Sequence, residues 1–146
     1  MRYLLAPLCD LRPPPVADGA SPLATWAAAV RGASEACVLL DDQATVAAAS
    51  PAFAELVGVP VAALTGARLF DSVLRVLDWG AEQPVRAEEA ARVPPLLALS
   101  AGALARSLLR VRRRDGTCLT LDAVSSPLHG RPEDGIVGSV TFLHLV

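Results

Sequence analysis

The spacing of apolar residues changes along the chain, and each change marks a predicted element. After Ser21-Pro22, apolar residues recur at helical spacing as far as residue 32, which gives one apolar face. Serine before proline strengthens this prediction, because the hydroxyl caps a helix and proline is accepted at its first position. Residues 36–40 and 44–49 are two short apolar runs separated by a polar turn, as in a β-hairpin. The first third therefore predicts a helix over 21–32 followed by two paired strands.

A second cap-and-proline pair, at residues 50–51, begins a run of short helices. After that first helix, the apolar spacing predicts further helical segments at 61–64 and 69–77. The stretch 80–95 has no clear period, and another helix is expected beyond it, up to about residue 104.

The last third of the chain alternates in the manner of β-strands. Residues 107–113 place apolar side chains on one face and arginines on the other. An Asp-Gly turn links them to a second run at 117–126. Pro127 is expected to end that strand, and residues 136–146 form the last one. The predicted order is strand, strand, several short helices and three strands, an α+β arrangement.

Several residue patterns in this order resemble those of the PAS family of sensory and interaction modules. Its opening hairpin and first helix resemble residues 37–41 with 48–58, and its next short-helix segment resembles residues 64–70. Its hairpin turn resembles residues 113–117, and the turn into its last strand resembles residues 125–128 with 134–138. The resemblance spans about residues 33–146 and implies a PAS-like five-stranded antiparallel sheet with short helices across one face. It makes residues 21–32 a flanking N-terminal helix and residues 1–20, which are proline-rich, an N-terminal arm.

Composition narrows the functional classes without changing the fold prediction. Hydrophobic residues make up 53% of the 146, but much of this is alanine, and no apolar run approaches the ~20 residues of a membrane span. The apolar run at the N-terminus is too short for a signal peptide. The formal net charge of -2 argues against nucleic-acid binding by the whole chain. We therefore expect a cytoplasmic protein that binds neither membranes nor nucleic acids.

The inventory of reactive side chains predicts that the protein is not an enzyme. A serine or cysteine nucleophile needs a base, usually histidine, within hydrogen-bond reach. The only histidines are His129, in a Gly/Pro loop, and His144, on the last predicted strand. The enzymatic alternative is a related cone-shaped α+β fold that uses Asp122 as an acid inside its pocket.

The cofactors that the PAS resemblance implies, flavin and haem, are both disfavoured. A photoactive flavin module of this family carries a cysteine in its helical segment, but no cysteine lies between Cys37 and Cys118. Haem in the family is commonly held by a helical histidine, but no histidine precedes His129. Ligation from His144 or Cys118 is an unsupported alternative. Cys9 is far from the other cysteines in sequence, so no metal site is expected.

The apolar residues that this fold would bring together between sheet and helices allow two interpretations. They form a densely packed core, the default for such residues, or they line a pocket for a small apolar ligand such as a fatty acid. The low aromatic content of 4% and the abundant alanine favour open space. The pocket candidates are Leu39, Phe53, Leu56, Phe70, Val73, Leu77, Leu97, Leu109, Leu121 and Phe142.

The second candidate surface is the outer face of the sheet together with the N-terminal helix. Mixed faces of this kind mark interfaces in many modules, but the helix would equally well cover its own sheet. We interpret the surface as a homodimer interface, because symmetric pairs are the commonest oligomers. The arginine run at 110–114 predicts a solvated hairpin tip or, alternatively, a site for an acidic partner protein. The interface candidates are Leu23, Trp26, Val30, Cys118, Thr120, Asp122 and Val124.

Together these patterns predict a non-catalytic sensory or regulatory module that dimerises or binds a signalling partner, with a small apolar ligand between sheet and helices as a further option beside the filled core. A signal would act through unequal affinity for two arrangements of the module. The competing prediction is a pure interaction or dimerisation scaffold with a filled core.

Overall fold

The computed structural model describes residues 21–146, so the predicted arm at residues 1–20 lies outside the described residues. No helix within 21–146 is long and apolar enough to cross a membrane. In chain order the elements are α1 (Pro22–Arg31), β1 (Cys37–Asp41), β2 (Val46–Ala49), α2 (Pro51–Val57), α3 (Val61–Leu64), a π-helical turn termed the π-turn (Leu69–Val73), β3 (Leu74–Leu77), α4 (Ala87–Ala90), α5 (Pro94–Ala101), β4 (Ala105–Arg113), β5 (Cys118–His129) and β6 (Ile136–Leu145).

The two serine-proline pairs begin helices by the same capping geometry. Ser21 Oγ accepts a hydrogen bond from the backbone N–H three residues on (3.1 Å), and Ser50 Oγ accepts one from the N–H of Phe53 (3.2 Å). Ser50 is also fully buried: its Oγ accepts from the N–H of Cys37 (3.0 Å) and donates to the carbonyl of Glu35 (2.6 Å). One hydroxyl therefore caps α2 and ties it to the start of β1.

One antiparallel sheet organises the fold, in the order β2-β1-β6-β5-β4-β3. The prediction of five strands is wrong by one, because Leu74–Leu77, expected to be the second half of a helix over 69–77, is strand β3 and pairs with β4. Leu74 and Leu77 are buried and Arg75 is exposed, and pairing satisfies backbone groups at an otherwise open edge of β4. Only the first half of the predicted helix is helical, as the π-turn.

Prolines predicted to interrupt regular structure lie inside it. β5 continues past Pro127 and pairs with β6 there. Ser125 is the last β5 residue paired with β4, so on that side the proline's missing N–H breaks no ladder bond. Pro94 begins α5, and the helix ends at Ala101, before the expected residue 104, because Gly102 takes a left-handed φ of 67°.

Apolar side chains form one cluster on each face of the sheet. The larger cluster lies on the helix-side face, where residues of α2, α3, the π-turn and α5 pack on the sheet. It includes Val38, Leu40, Phe53, Val57, Leu64, Leu69, Val73, Leu74, Leu109, Val111, Leu121 and Leu143. The smaller cluster lies on the outer face beneath α1 and comprises Ala27, Val30, Cys37, Leu39, Ala48, Leu128, Val140 and Phe142. Alternation along each strand sends neighbouring side chains to opposite clusters.

Candidate functional site

An open cavity of about 620 Å³ lies between the β1–β2 turn, the π-turn, β3 and the helices α4 and α5. Most of its lining residues are apolar or small, but polar atoms supply about half of its surface, and its charged residues, Arg68, Asp71 and Arg75, are exposed. Arg68 Nε lies 3.1 Å from Asp71 Oδ2. This space, termed the larger cavity, is lined by Ala44, Arg68, Leu69, Phe70, Asp71, Arg75, Val76, Pro84, Val85, Ala87, Ala90, Ala91 and Leu96.

The helix-side core takes up most of the residues predicted to line a pocket. Phe53, Val73, Leu109 and Leu121 belong to the larger apolar cluster, and Leu56 and Phe70 pack against it. Of the ten pocket candidates, Phe70 lines the larger cavity.

The remaining pocket candidates lie outside the space between sheet and helices, because they point to the other face of the sheet or are exposed. Leu39 and Phe142 point to the outer face and pack beneath α1, so their predicted place between sheet and helices is corrected. Leu77 is buried on β3 opposite Arg110 of β4, whose side chain faces outward. Leu97 is 36% exposed on α5.

Sequence reasoning missed most of the true lining. Ala87, Ala90 and Ala91 come from the stretch that showed no period, and Ala44 comes from a polar turn where it holds a φ of 61°. An alanine carries almost no pattern signal, since it fits helices, strands and turns. The abundant alanine and the low aromatic content were the available signs of open space.

A second cavity of about 570 Å³ lies where β1 begins and β6 ends. Charged and titratable side chains meet there above an apolar floor that includes Leu119 and Leu143. The Arg113 guanidinium donates from Nη1 to the carbonyl of Leu56 (3.3 Å). Arg113 Nε and Glu35 Oε2 are buried without a hydrogen-bond partner among residues 21–146. The lining residues are Glu35, Ala36, Ala52, Glu55, Leu56, Arg113, Leu119, Leu143, His144 and Leu145.

The helical interface candidates cover their own sheet. Val30 is fully buried in the outer cluster, and Leu23 and Trp26 pack against it as partly buried residues. On β5, the alternation puts Cys118, Thr120, Asp122 and Val124 on the outer face, because Leu121 and Ala123 belong to the helix-side cluster. Val124 is only 5% exposed.

Asp122 is occupied as an ion-pair partner on this outer face. Its carboxylate accepts two hydrogen bonds from Arg106, at 3.2 Å from Nε and 3.1 Å from Nη2. The predicted alternative that made Asp122 an acid inside the pocket is therefore corrected, since Asp122 lines neither cavity. Such a bidentate geometry fixes both side chains.

The arginines at 110–114 are engaged side chains and do not form a simple solvated tip. Arg110 binds Glu82 and donates to Thr120 Oγ1 (3.0 Å). Arg112 donates to the carbonyl of Glu82 (3.0 Å) and Arg114 to that of Ser72 (2.7 Å). Each arginine thereby holds a neighbouring loop against the end of β4.

The described thiols and imidazoles lie away from the larger cavity. Cys37 is buried in the outer cluster, Cys118 begins β5, and His129 is exposed at its end. His144 lines the second cavity described above, whereas neither a thiol nor an imidazole is among the residues that line the larger cavity. Among the described residues, no three His, Cys, Asp or Glu side chains are grouped to hold a metal ion.

No protein-family model matches this sequence, and no curated protein matches it significantly. Solved structures are similar at low identity. A PAS domain from Colwellia psychrerythraea has a TM-score of 0.62 and 16% identity, covering 85% of this chain and 96% of that one. The PAS domain of nitrogen regulation protein NR(II) from Vibrio parahaemolyticus has a TM-score of 0.57 and 17% identity, with coverage of 82% and 96%. A light-oxygen-voltage domain studied with a flavin analogue has a TM-score of 0.60 and 20% identity, with 82% of each chain covered.

At such low identities, structural similarity shows only the architecture of the chain. That architecture is the PAS fold. The resemblance predicted from residues 33–146 is confirmed at that level. The sheet has six strands where five were expected, because β3 extends it at the edge beyond β4.

Proposed function

We propose that this PAS-fold chain is a non-catalytic sensory or regulatory module that binds a small ligand in the larger cavity and signals through the outer face of its sheet. The observation that carries the proposal is the cavity: about 620 Å³ stays open beside a core whose main apolar residues are nearly fully buried. A concave, mostly apolar space with a few polar groups is the usual form of a small-molecule site.

The lining favours an amphipathic ligand with an acidic group. Phe70, Val76 and Leu96 offer an apolar wall. Beside it Arg75 offers a guanidinium group, while Arg68 is paired with Asp71. Guanidinium binds carboxylate or phosphate with good geometry. The predicted small apolar ligand is refined in this way to one that carries an anionic end.

The non-catalytic part of the proposal follows from the same side chains. Among the described residues, the cavity wall holds no serine, cysteine or histidine, and its one carboxylate, Asp71, is paired with Arg68. Binding is the chemistry that such a set supports.

Native mass spectrometry of the purified protein, compared with its denatured mass, tests the ligand. We expect extra mass in the native spectrum that is lost on denaturation. Ala90→Phe, on the cavity wall, should reduce the bound fraction, and Ala62→Phe, on α3 and outside the cavity lining, should not. An apo wild-type spectrum together with no binding of added fatty acids would contradict the proposal.

A dimerisation scaffold is the second candidate function, and one exposed side chain favours it. Leu108 is 49% exposed on the outer face, between Arg106 and Arg110 on β4. A second copy would cover it and complete the outer face. Sedimentation of Leu108→Arg should show loss of a dimer, whereas Val61→Arg, an exposed apolar position on α3, should sediment as wild type. A monomeric wild type at high concentration would reject this function.

A further inference from the structure

The segment between β3 and α4, residues 78–85, wraps the edge of the sheet and is termed the strap. The N–H of Asp78 donates to the carbonyl of Gln83 (2.9 Å), and the N–H of Val85 donates to that of Val76 (3.1 Å). Leu77 also forms an antiparallel bridge with Pro84. The strap is therefore fastened along the free edge of β3, which protects that edge from pairing elsewhere.

One end of the strap belongs to the larger cavity. Pro84 and Val85 line it directly, and Ala87 and Ala90 of α4 continue the same wall. A ligand in the cavity would therefore contact this end of the strap.

The other part of the strap is tied to the outer face through Glu82. Its Oε1 accepts from Arg110 Nη2 (2.6 Å) and Nε (3.2 Å), and its carbonyl accepts from Arg112 (3.0 Å). Arg110 also donates to Thr120 Oγ1 (3.0 Å), a residue of the exposed part of the outer face. Glu82 has a φ of 53°, a conformation that non-glycine residues rarely adopt unless their surroundings hold it.

We propose that the strap couples the larger cavity to the outer face: displacement of Pro84 and Val85 at the cavity loosens Glu82 from Arg110, and that frees Arg110 and Thr120 for another contact. Coupling of this kind is reciprocal, so a contact that holds Arg110 in place also favours one state of the cavity. The inference rests on the proposed function for its ligand, but its test needs none.

The first experiment breaks the tie on the outer side and observes the strap. Glu82→Gln should speed amide hydrogen exchange of Asp78 and Val85 by about tenfold, because local opening governs exchange at such edges. The amide of Val46, bonded to the carbonyl of Ala67 at the opposite edge of the sheet, should be unchanged. Glu133→Gln, in the exposed loop between β5 and β6, is the matched control and should alter none of them.

The second experiment changes the cavity and observes the outer face. Ala87→Phe and Ala90→Phe should each shift the side-chain Nε resonance of Arg110 and speed exchange at Val85. Ala62→Phe, on α3, should leave both as in the wild type.

The outcomes separate this inference from the proposed ligand. If both cavity variants leave Arg110 unchanged while Glu82→Gln still loosens the strap, the strap only protects the edge and the coupling is wrong, whatever mass spectrometry finds bound. If Glu82→Gln leaves Asp78 and Val85 unchanged, Glu82 does not hold the strap and the inference is equally wrong. If both experiments succeed but no ligand is found, the coupling stands and the proposed ligand fails.

Discussion

The two faces of the sheet are covered to different degrees. On the helix-side face, residues such as Phe53 and Leu121 have no exposed surface, and buried polar groups bond one another. Ser125 and Thr141 hydroxyls are 2.7 Å apart, and Ser139 donates to the carbonyl of Pro95 (3.1 Å). This face is closed except at the two cavities, and in the second cavity Arg113 Nε is buried without a hydrogen-bond partner among residues 21–146.

The outer face of the sheet is covered only in part. α1 covers Leu39 and Phe142, while the region over β4 and β5 carries the Arg106–Asp122 pair and the exposed Leu108. Apolar surface left open beside fixed charges is what a partner would bury. The helix-side face therefore holds the larger apolar cluster, whereas the outer face away from α1 leaves Leu108 exposed.

Phe53→Ala should give the largest effect, since it removes a fully buried ring from the helix-side cluster. We expect a loss of about 3–5 kcal/mol in the free energy of unfolding, from lost burial and the hole that remains. Urea unfolding followed by circular dichroism measures it. Phe70→Ala, half-buried at the cavity wall, is the control and should cost less. A loss below about 2 kcal/mol would show that this face is less tightly packed than it looks.

Phe142→Ala makes the same change on the outer face and should cost about 3 kcal/mol, at the low end of the range for a buried phenylalanine and less than Phe53→Ala. Phe142 is 2% exposed, but one helix covers it, and α1 can shift to fill the space more easily than the packed helix-side elements. Amides of α1 should exchange faster in this variant than in Phe53→Ala at equal global stability. Equal costs for the two variants would remove the distinction between the faces.

The parts of the fold that the sequence could predict are those formed by residues a few positions apart in the chain. Ser50 before proline predicts a capped helix because donor and acceptor are three residues apart. The Asp-Gly turn likewise holds, with Asp115 Oδ1 accepting from the N–H of Thr117 (2.9 Å) and Gly116 at a φ of 90°.

The parts that could not be predicted depend on distant partners. β3 is four residues long, too short for a period to define, and exists because β4 lies beside it. The ion pair of Asp122 needs Arg106, which is 16 residues away on the adjacent strand. The larger cavity gathers alanines from a turn and from α4, and no local pattern connects them.

A double-mutant cycle on Arg106 and Asp122 should show a smaller effect on the free energy of unfolding, and it probes the part of the outer face that α1 does not cover. Arg106→Gln and Asp122→Asn, singly and together, should give a coupling of about 1 kcal/mol, because the Arg106 side chain is 45% exposed and water screens the pair. The exposed pair Arg86–Glu89, at 3.7 Å, is the control and should give almost no coupling. Equal coupling in the two pairs would mean that the outer face does not bury Asp122 in solution.

The smallest effect on the free energy of unfolding at neutral pH is expected from ionisation of the Cys37 thiol, which lies in the covered half of the outer face. Burial raises the pKa of the Cys37 thiol from 9.0 to about 11; the Ser50 hydrogen bond lowers it, and Glu35 raises it further. Folding therefore favours the protonated thiol, and this contribution is complete below pH 9 and is lost as pH rises toward about 11. The free energy of unfolding should fall more steeply over that range in the wild type than in Cys37→Ala, measured by urea unfolding at each pH. Parallel slopes would mean that water reaches the thiol beneath α1, and the covered half of the outer face would then be as open as the rest.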